Sequence, residues 1–247
     1  FYLRLQMTPN ELTKLFEISE ATWPPAAFHE IEGWVVRDGA GGGQRVSSTT
    51  AAELGTLPDI EMAEKAMAAL DQPNLFMIRK GEHALDAALD ARGYTVKDPV
   101  VMYSCPVKDL TGVKPPRVST FNIFPPLQIM RELWAEGGIG PARINVMLRA
   151  KGPKTTVLGR QNDRAAGVAY VGIHQNTAVL HALEVSPDQR RQGVAINIMR
   201  AAAHWAQDQG AETLLVLVTQ ENKGANALYS SLSMQNVGNY HYRIKAA

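Results

Sequence analysis

The sequence predicts an α/β protein of α+β character, built as two successive halves, residues 1–115 and 116–247. Three observations predict it. Helix-period and strand-period segments alternate along both halves, the pattern of helices layered on a sheet. Prolines at Lys114-Pro115-Pro116 and Pro125-Pro126 interrupt the chain midway, where neither a helix nor a central strand can continue. Finally, Leu183-Glu-Val-Ser-Pro-Asp-Gln-Arg-Arg-Gln-Gly-Val-Ala195 carries an apolar strand end through a turn into Gly193 and a long alanine-rich helix.

In the first half, 9–21 predicts a helix, 33–37 and 44–49 a pair of strands, and 60–70 a helix. A strand over 74–79, a helix over 85–91 and a strand over 100–105 follow. Gly41-Gly42-Gly43 with Arg45 reads as a hairpin turn between the paired strands, or as an anion-binding nest. Residues 107–118 read as a linker. In the second half, helices are expected over 127–135 and 141–149, separated by Gly137-Gly-Ile-Gly140. Strands over 155–160 and 166–173 are joined by the turn Gln161-Asn-Asp-Arg164, and 178–185 is a third strand. The helix over 193–209 sets Asn197, Arg200, His204, Gln207 and Asp208 on one polar stripe and stops at Gly210. Residues 213–219 form a continuous apolar strand suited to burial on both faces. A short helix over 225–232 and a strand over 240–244 close the chain.

Composition narrows the function. The chain of 247 residues is 45% hydrophobic and 20% charged, as ordinary globular proteins are. No run approaches the roughly 18 apolar residues of a membrane span, and no signal-peptide pattern opens the sequence, so the expectation is a cytoplasmic protein with no membrane partner. Cys105 is the single cysteine, and no Cys/His cluster suggests a metal. The net charge of +1 conceals an asymmetry: 11 Lys+Arg against 16 Asp+Glu in 1–115, and 14 against 8 in 116–247. A mildly basic second half suits an anionic small molecule, or ordinary charge scatter, and is too weak to argue for nucleic acid.

The 183–195 segment has a mechanism. A helix start exposes unpaired N–H groups and the positive end of the helix dipole, which together hold a pyrophosphate. Gly193 removes the Cβ that would keep phosphates from the backbone. Arg190 and Arg191 add charge-assisted hydrogen bonds.

Here the chain resembles the GNAT superfamily of N-acetyltransferases. Arg190-Arg-Gln-Gly193-Val-Ala195 matches the family's Gln/Arg-x-x-Gly-x-Gly/Ala pattern, and Asn222-Lys-Gly-Ala225-Asn-Ala-Leu228-Tyr229 matches its Asn-x-x-Ala-x-x-Leu-Tyr element downstream. Ser233-Met234 departs from the usual Gly-Phe, whereas Gly93-Tyr94 in the first half sits near that pattern. The resemblance implies tandem GNAT-like domains, each a mixed, mostly antiparallel sheet flanked by helices. The first half lacks the pyrophosphate pattern and is read as degenerate.

The resemblance further implies direct transfer of acetyl from acetyl-CoA to the amine of a small molecule or an N-terminus. The strand end at Leu183 and Val185 would line the pantetheine arm. The amides of Gln192, Gly193, Val194 and Ala195 would take the pyrophosphate. Asn222 would contact pantetheine or cap the next helix, and Ala225 is counted among the cofactor-binding residues. Tyr229 would protonate the departing thiolate, or be only a packing aromatic. Amines are mostly protonated at neutral pH, so a base is needed. Glu184 ranks first, against a plain surface or capping carboxylate, and His181 second, against a satisfied core histidine. Strand parity puts the two on opposite faces. An alternative is a non-catalytic coenzyme A-binding or regulatory module. A nucleotide binder is disfavoured, because no Gly-Lys-Ser/Thr and no Gly-x-Gly-x-x-Gly is present. Two tandem halves would act as a dimer within one chain, leaving a monomer or a weak homodimer.

Overall fold

The structure is a computed structural model that describes residues 8–245. Its first helix, α1 (Pro9–Thr22), starts at a capping box in which Thr8 and Glu11 satisfy each other's backbone N–H groups. There follow β1 (Ala27–Ile31), β2 (Trp34–Asp38), α2 (Gln44–Ser47), β3 (Thr50–Ala51), α3 (Ile60–Ala69), β4 (Asn74–Arg79), α4 (His83–Ala91) and β5 (Thr95–Pro106). A single turn of helix, α5 (Lys108–Thr111), leads to β6 (Thr120–Ile123), α6 (Gln128–Glu136) and α7 (Pro141–Arg149). The chain then runs through β7 (Lys154–Gln161), β8 (Arg164–His174), β9 (Thr177–Val185), α8 (Val194–Asp208), β10 (Thr213–Thr219), α9 (Lys223–Ser231) and β11 (Gln235–Lys245).

Most expected elements are present within a residue or two of their predicted bounds, whereas β5 and β11 each begin five residues before the strands expected over 100–105 and 240–244. The other exceptions have local causes. Residues 44–47 are a turn of helix, not a strand, and Gly41–Gly43 is not a hairpin turn. The loop is pinned at Gly42, where a Cβ would lie 2.6 Å from Val146 Cγ2, so it feeds a helix that buries Val46 instead of turning back as a strand. Strands β1 and β6 were not expected. Both are edge strands with exposed side chains and no apolar alternation to betray them. The presumed linker is anchored at its start, where Val107 and Leu110 are buried against the core that α8 covers.

One eight-stranded sheet, ordered β4-β11-β5-β10-β9-β8-β7-β6, carries both parts of the chain. Within it only β9 and β10 run parallel. Strand β11 lies between β4 and β5, antiparallel to both, and β5 lies between β11 and β10. The unit β4-α4-β5 and the unit β10-α9-β11 therefore exchange their last strands, and the order β4-β11-β5-β10 reads the same from either unit. The helix ends agree. Gly93 (φ +82) and Ser233 (φ +58) occupy the left-handed position after α4 and α9, and the next residues, Tyr94 and Met234, donate back to Leu89 O and Tyr229 O. Ser233 thus takes the backbone shape expected of glycine, and Met234 fills the apolar slot, 4% exposed. A three-stranded sheet, β1-β2-β3, joins through one parallel bridge between Thr49 and Phe76.

Helix α8 covers one face of the large sheet. It presents Ala201, Ala202, Ala203 and Ala206 inward, and a Cβ on Gly159 or Gly167 would run into Ile198 or Val194. Small residues on both sides allow this close approach. The opposite face is covered by α1, α6 and α7, through Trp23, Met130, Leu133, Trp134 and Met147. The candidate site lies on that second face and at the mouth between β9 and β10.

Candidate active site

The site is opened by an irregularity in β9. His181 pairs with Tyr170 and Glu184 with Val168, so two residues of β9, Ala182 and Leu183, face one of β8. This is a β-bulge. Ala182 takes the left-handed conformation (φ +52), and its carbonyl accepts a hydrogen bond from Trp134 Nε1 at 2.7 Å. The bulge also resets the alternation of side chains. Tyr170 and Val168 are two apart on β8, so His181 and Glu184 face the same side. The parity expectation is corrected, because an inserted residue cancels the odd spacing.

Beyond the bulge the parallel strands part. Pairing of β9 with β10 stops at Leu180–Val216, although β9 runs on to Val185 and β10 to Thr219. Leu183 and Val185 therefore lie on an edge with no strand opposite. Val185 O accepts from Arg190 Nε at 3.0 Å, which ties the following loop to the strand end. After the 3₁₀ turn Pro187–Gln189, Arg191 (φ +62) and Gly193 (φ +84) turn the chain into α8, with Gly193 at the N-cap. A Cβ on Gly193 would meet nothing within 4 Å, so there is open space beside this N-cap. Asn162 braces the loop by donating to Gln192 Oε1 at 3.1 Å, and Gln192 Nε2 donates to Asp188 O. Among the described residues, neither Arg190 nor Arg191 forms an ion pair with a carboxylate. The geometry suits an anion with a flexible tail lying between the splayed strands.

Glu184 is half-buried at the opening, against the end of α6. A Cβ on Gly137 would fall 2.7 Å from its Cδ. Burial raises the pKa of its carboxyl, and the Arg190 and Arg143 guanidiniums pull it part of the way back. Tyr229, on α9, is 4% exposed and leans its ring on Tyr103, with centroids 5.9 Å apart. Burial and the nearby Glu184 carboxylate both push its phenol pKa up, so it keeps its proton at neutral pH. Asn222 caps α9 by accepting from Ala225 N at 3.0 Å, and Ala225 packs on the α8 core. Asn226, not singled out in the sequence, fixes α9 to β10 through Thr219 O and accepts from Tyr103 OH.

His181 is fully enclosed between Trp23 and Tyr170. Arg45 Nη1 lies 3.1 Å from its Nδ1, and a guanidinium only donates, so Nδ1 accepts. The ring proton is then on Nε2 and is given to Thr22 Oγ1 at 2.9 Å, while Thr22 passes its own proton to the α1 carbonyls. Burial and the Arg45 charge hold the imidazole pKa well below its ordinary value. With its only lone pair committed, His181 has the environment of a satisfied core histidine.

Next to this histidine is a cleft of about 240 Å³, walled by Trp23, Arg45, Arg143, His181, Ala182 and Tyr240 among others. Its walls come from both ends of the sequence. Arg45 and the loop Gly42–Gly43 are brought onto it by α2, and Arg143 by α7. No local signal in the sequence links Arg45 with Arg143. Among the described residues no group of three or more metal-ligating side chains exists, and no helix is long and apolar enough to cross a membrane.

The sequence pattern of the acetyltransferase (GNAT) family matches residues 127–234, the span that contains the bulge, the splay and the glycine turn. Along nearly its whole length the chain is similar to the Bacillus subtilis (strain 168) protein named uncharacterized N-acetyltransferase YobR. The two are 23% identical, over 96% of this chain and 99% of that protein. Among solved structures, a GCN5-related N-acetyltransferase from Kribbella flavida shares the fold with a TM-score of 0.72 and 15% identity, covering 96% of each chain. A tandem GNAT protein from the clavulanic acid biosynthesis pathway superposes with a TM-score of 0.60 and 13% identity, over 90% of this chain and 84% of that one.

Proposed function

We propose that this chain is a GNAT-family acetyltransferase that moves acetyl directly from acetyl-CoA to the amine of a small molecule or an N-terminus, a reading supported by the family pattern over residues 127–234. The observation that carries the reading is the opening between β9 and β10, where the unpaired end of β9 carries Glu184 and runs on to the left-handed Gly193 N-cap of α8.

The residues present fit coenzyme A. The αL turn at Gly193 leaves open space where a pyrophosphate would sit, with Gln192, Val194 and Ala195 beside it and no carboxylate among the described residues within 4.0 Å of Arg190 or Arg191. Leu183 and Val185 offer strand-edge groups to a pantetheine arm. Asn222 acts as the cap that sets α9, and hence Tyr229, at the mouth. Bound there, acetyl-CoA supplies the thioester.

Glu184 is the base: its raised pKa brings it nearer the working pH, where a carboxylate removes a proton from an ammonium more effectively. With acetyl-CoA bound, Tyr229 would keep its proton for the departing thiolate, and the second proton shed by the amine nitrogen as it becomes an amide would restore the phenol. His181 holds Arg45 and the start of the bulge and takes no proton. Residues 1–115 are a degenerate partner half that supplies one wall of the acceptor cleft, and 116–247 the catalytic half. The exchange of β5 and β11 makes the chain a dimer of halves within one molecule, which favours a monomer over a homodimer. Thiol release from acetyl-CoA over an amine panel tests the reading. Turnover that falls at least about a hundredfold in Glu184→Gln supports it. Coenzyme A binding with no transfer to any amine would instead favour the binding-module alternative.

A further inference from the structure

The acceptor cleft holds two guanidiniums, Arg45 and Arg143, that no carboxylate among the described residues contacts within 4.0 Å. Arg45 Nη1 is used by His181 Nδ1 and, at 3.4 Å, by Ser19 Oγ. That leaves the Nε–Nη2 edge, the fork that takes a carboxylate through two parallel bonds. Nε is buried with no hydrogen-bond partner. A buried donor left unmet on a charged group is costly, so such a group marks a position that a ligand completes.

Arg143 converges from α7, with its guanidinium packed over Gly43. A Cβ there would lie 3.1 Å from Arg143 Nε. That guanidinium makes no hydrogen bond and no ion pair within 4.0 Å with the described residues. The carboxylates around the cleft stay out of contact with both guanidiniums. Glu184 acts on Arg143 only across space, the Asp98 carboxylate turns one oxygen to Gln44 Nε2 at 2.7 Å, and Glu17 and Glu30 line the adjoining cavity without pairing Arg45. His181 is neutral. In the adjoining cavity of about 340 Å³, Glu20 is paired with Arg37. Gln44 adds a complementary feature: its Oε1 is buried with no donor, so the cleft wall offers an acceptor for an N–H beside donors for an anion.

Resting on the acetyltransferase reading above, we propose that the acceptor is a small amine that also bears a carboxylate, an amino acid by chemical class, held through that carboxylate by Arg45 and Arg143. The cleft volume of about 240 Å³ is below the usual range for drug-sized ligands and suits a molecule of this size. Trp23 and Tyr240 supply apolar surface for a side chain.

The test uses matched pairs of amino acids and their neutral primary amides, with the full chain and a coenzyme A analogue present. Calorimetric binding is measured alongside thiol release with acetyl-CoA. A bidentate charge-assisted contact predicts that the acid binds about ten- to a hundredfold tighter than its amide. Arg45→Gln and Arg143→Gln should each reduce that preference to about threefold or less. Arg143 makes no bond that the fold needs, so its variant reports even if Arg45→Gln fails to fold. Equal binding of acids and amides, or a preference unchanged in Arg143→Gln and in a folded Arg45→Gln, overturns the proposal, as does no binding of either. Transfer to amines without acid preference would sink this inference and leave the acetyltransferase reading standing. Selective acid binding without transfer would do the reverse.

Discussion

Gly137→Ala is the sharpest perturbation of the proposed base, because it displaces Glu184 without touching its chemistry. An alanine Cβ at 137 would sit 2.7 Å from Glu184 Cδ, 2.8 Å from Cγ and 2.9 Å from Oε2. Relaxed carbon contacts lie near 3.5–4.0 Å, so the carboxylate must move by about 1 Å. The backbone does not object. Gly137 has φ −81 and ψ 6, which alanine adopts freely, so the substitution changes stability by less than about 1 kcal/mol. The carboxyl is the end of a flexible side chain and can swing aside. Misplacing a reacting group by about 1 Å costs up to about a hundredfold in rate. The expected outcome is a ten- to hundredfold lower kcat, or roughly 1.4–2.7 kcal/mol of barrier, with an unchanged melting temperature and unchanged affinity for acetyl-CoA. Thiol-release kinetics, thermal unfolding and calorimetry read the three quantities. Full kcat in a folded Gly137→Ala would show that Glu184 has no fixed role in proton removal.

Further outcomes follow from the same geometry. Tyr229→Phe should lower kcat by about a hundredfold. Nothing among the described residues hydrogen-bonds the Tyr229 hydroxyl, so the melting temperature should hold or rise; a large fall would recast Tyr229 as structural. Because burial raises the Glu184 pKa, the acid limb of kcat/KM should have its midpoint above the ordinary value of about 4.3 and vanish in Glu184→Gln. The native chain holds that proton more tightly than the unfolded one. The associated stability is therefore present below about 4.3 and lost as pH rises through the folded value. Glu184→Gln, which mimics the protonated form, should melt higher than the parent at pH 8, with the gap narrowing as pH falls. A lower melting temperature at pH 8 would contradict burial as the dominant influence. A fragment of residues 1–115 should fail to fold, since β4 and β5 are joined only through β11. A dispersed amide spectrum from that fragment would refute the strand-exchange account.

Much of this was legible from local pattern. Helix α7, strand β4 and strand β10 fall where proline, apolar runs and turn residues put them, and Gly193 lies at the helix start as the 183–195 segment indicates. What escaped is non-local. Residues 44–49 carry alternation enough for a strand, yet with Gly42 packed close to Val146, a hundred residues away in sequence, the first four of them form a helical turn. The bulge at Ala182 is stabilised by Trp134 from another element, so counting along β9 alone put His181 and Glu184 on opposite faces. The exchange of β5 and β11 leaves each strand's own pattern unchanged, because a buried strand reads alike whichever neighbour it pairs with. Arg45 and Arg143 meet only once the two halves share a sheet.

The most direct test of the central claim is calorimetric titration with acetyl-CoA of the parent and of Gly193→Glu. The substitution puts a side chain at φ +84, which costs about 1–3 kcal/mol, and sets a carboxylate where the pyrophosphate would rest. Micromolar binding to the parent, weakened by more than about a hundredfold in a folded Gly193→Glu, is the predicted result. No binding to the parent up to about 1 mM, weaker than about −4 kcal/mol, would contradict the account and leave the fold without its donor site.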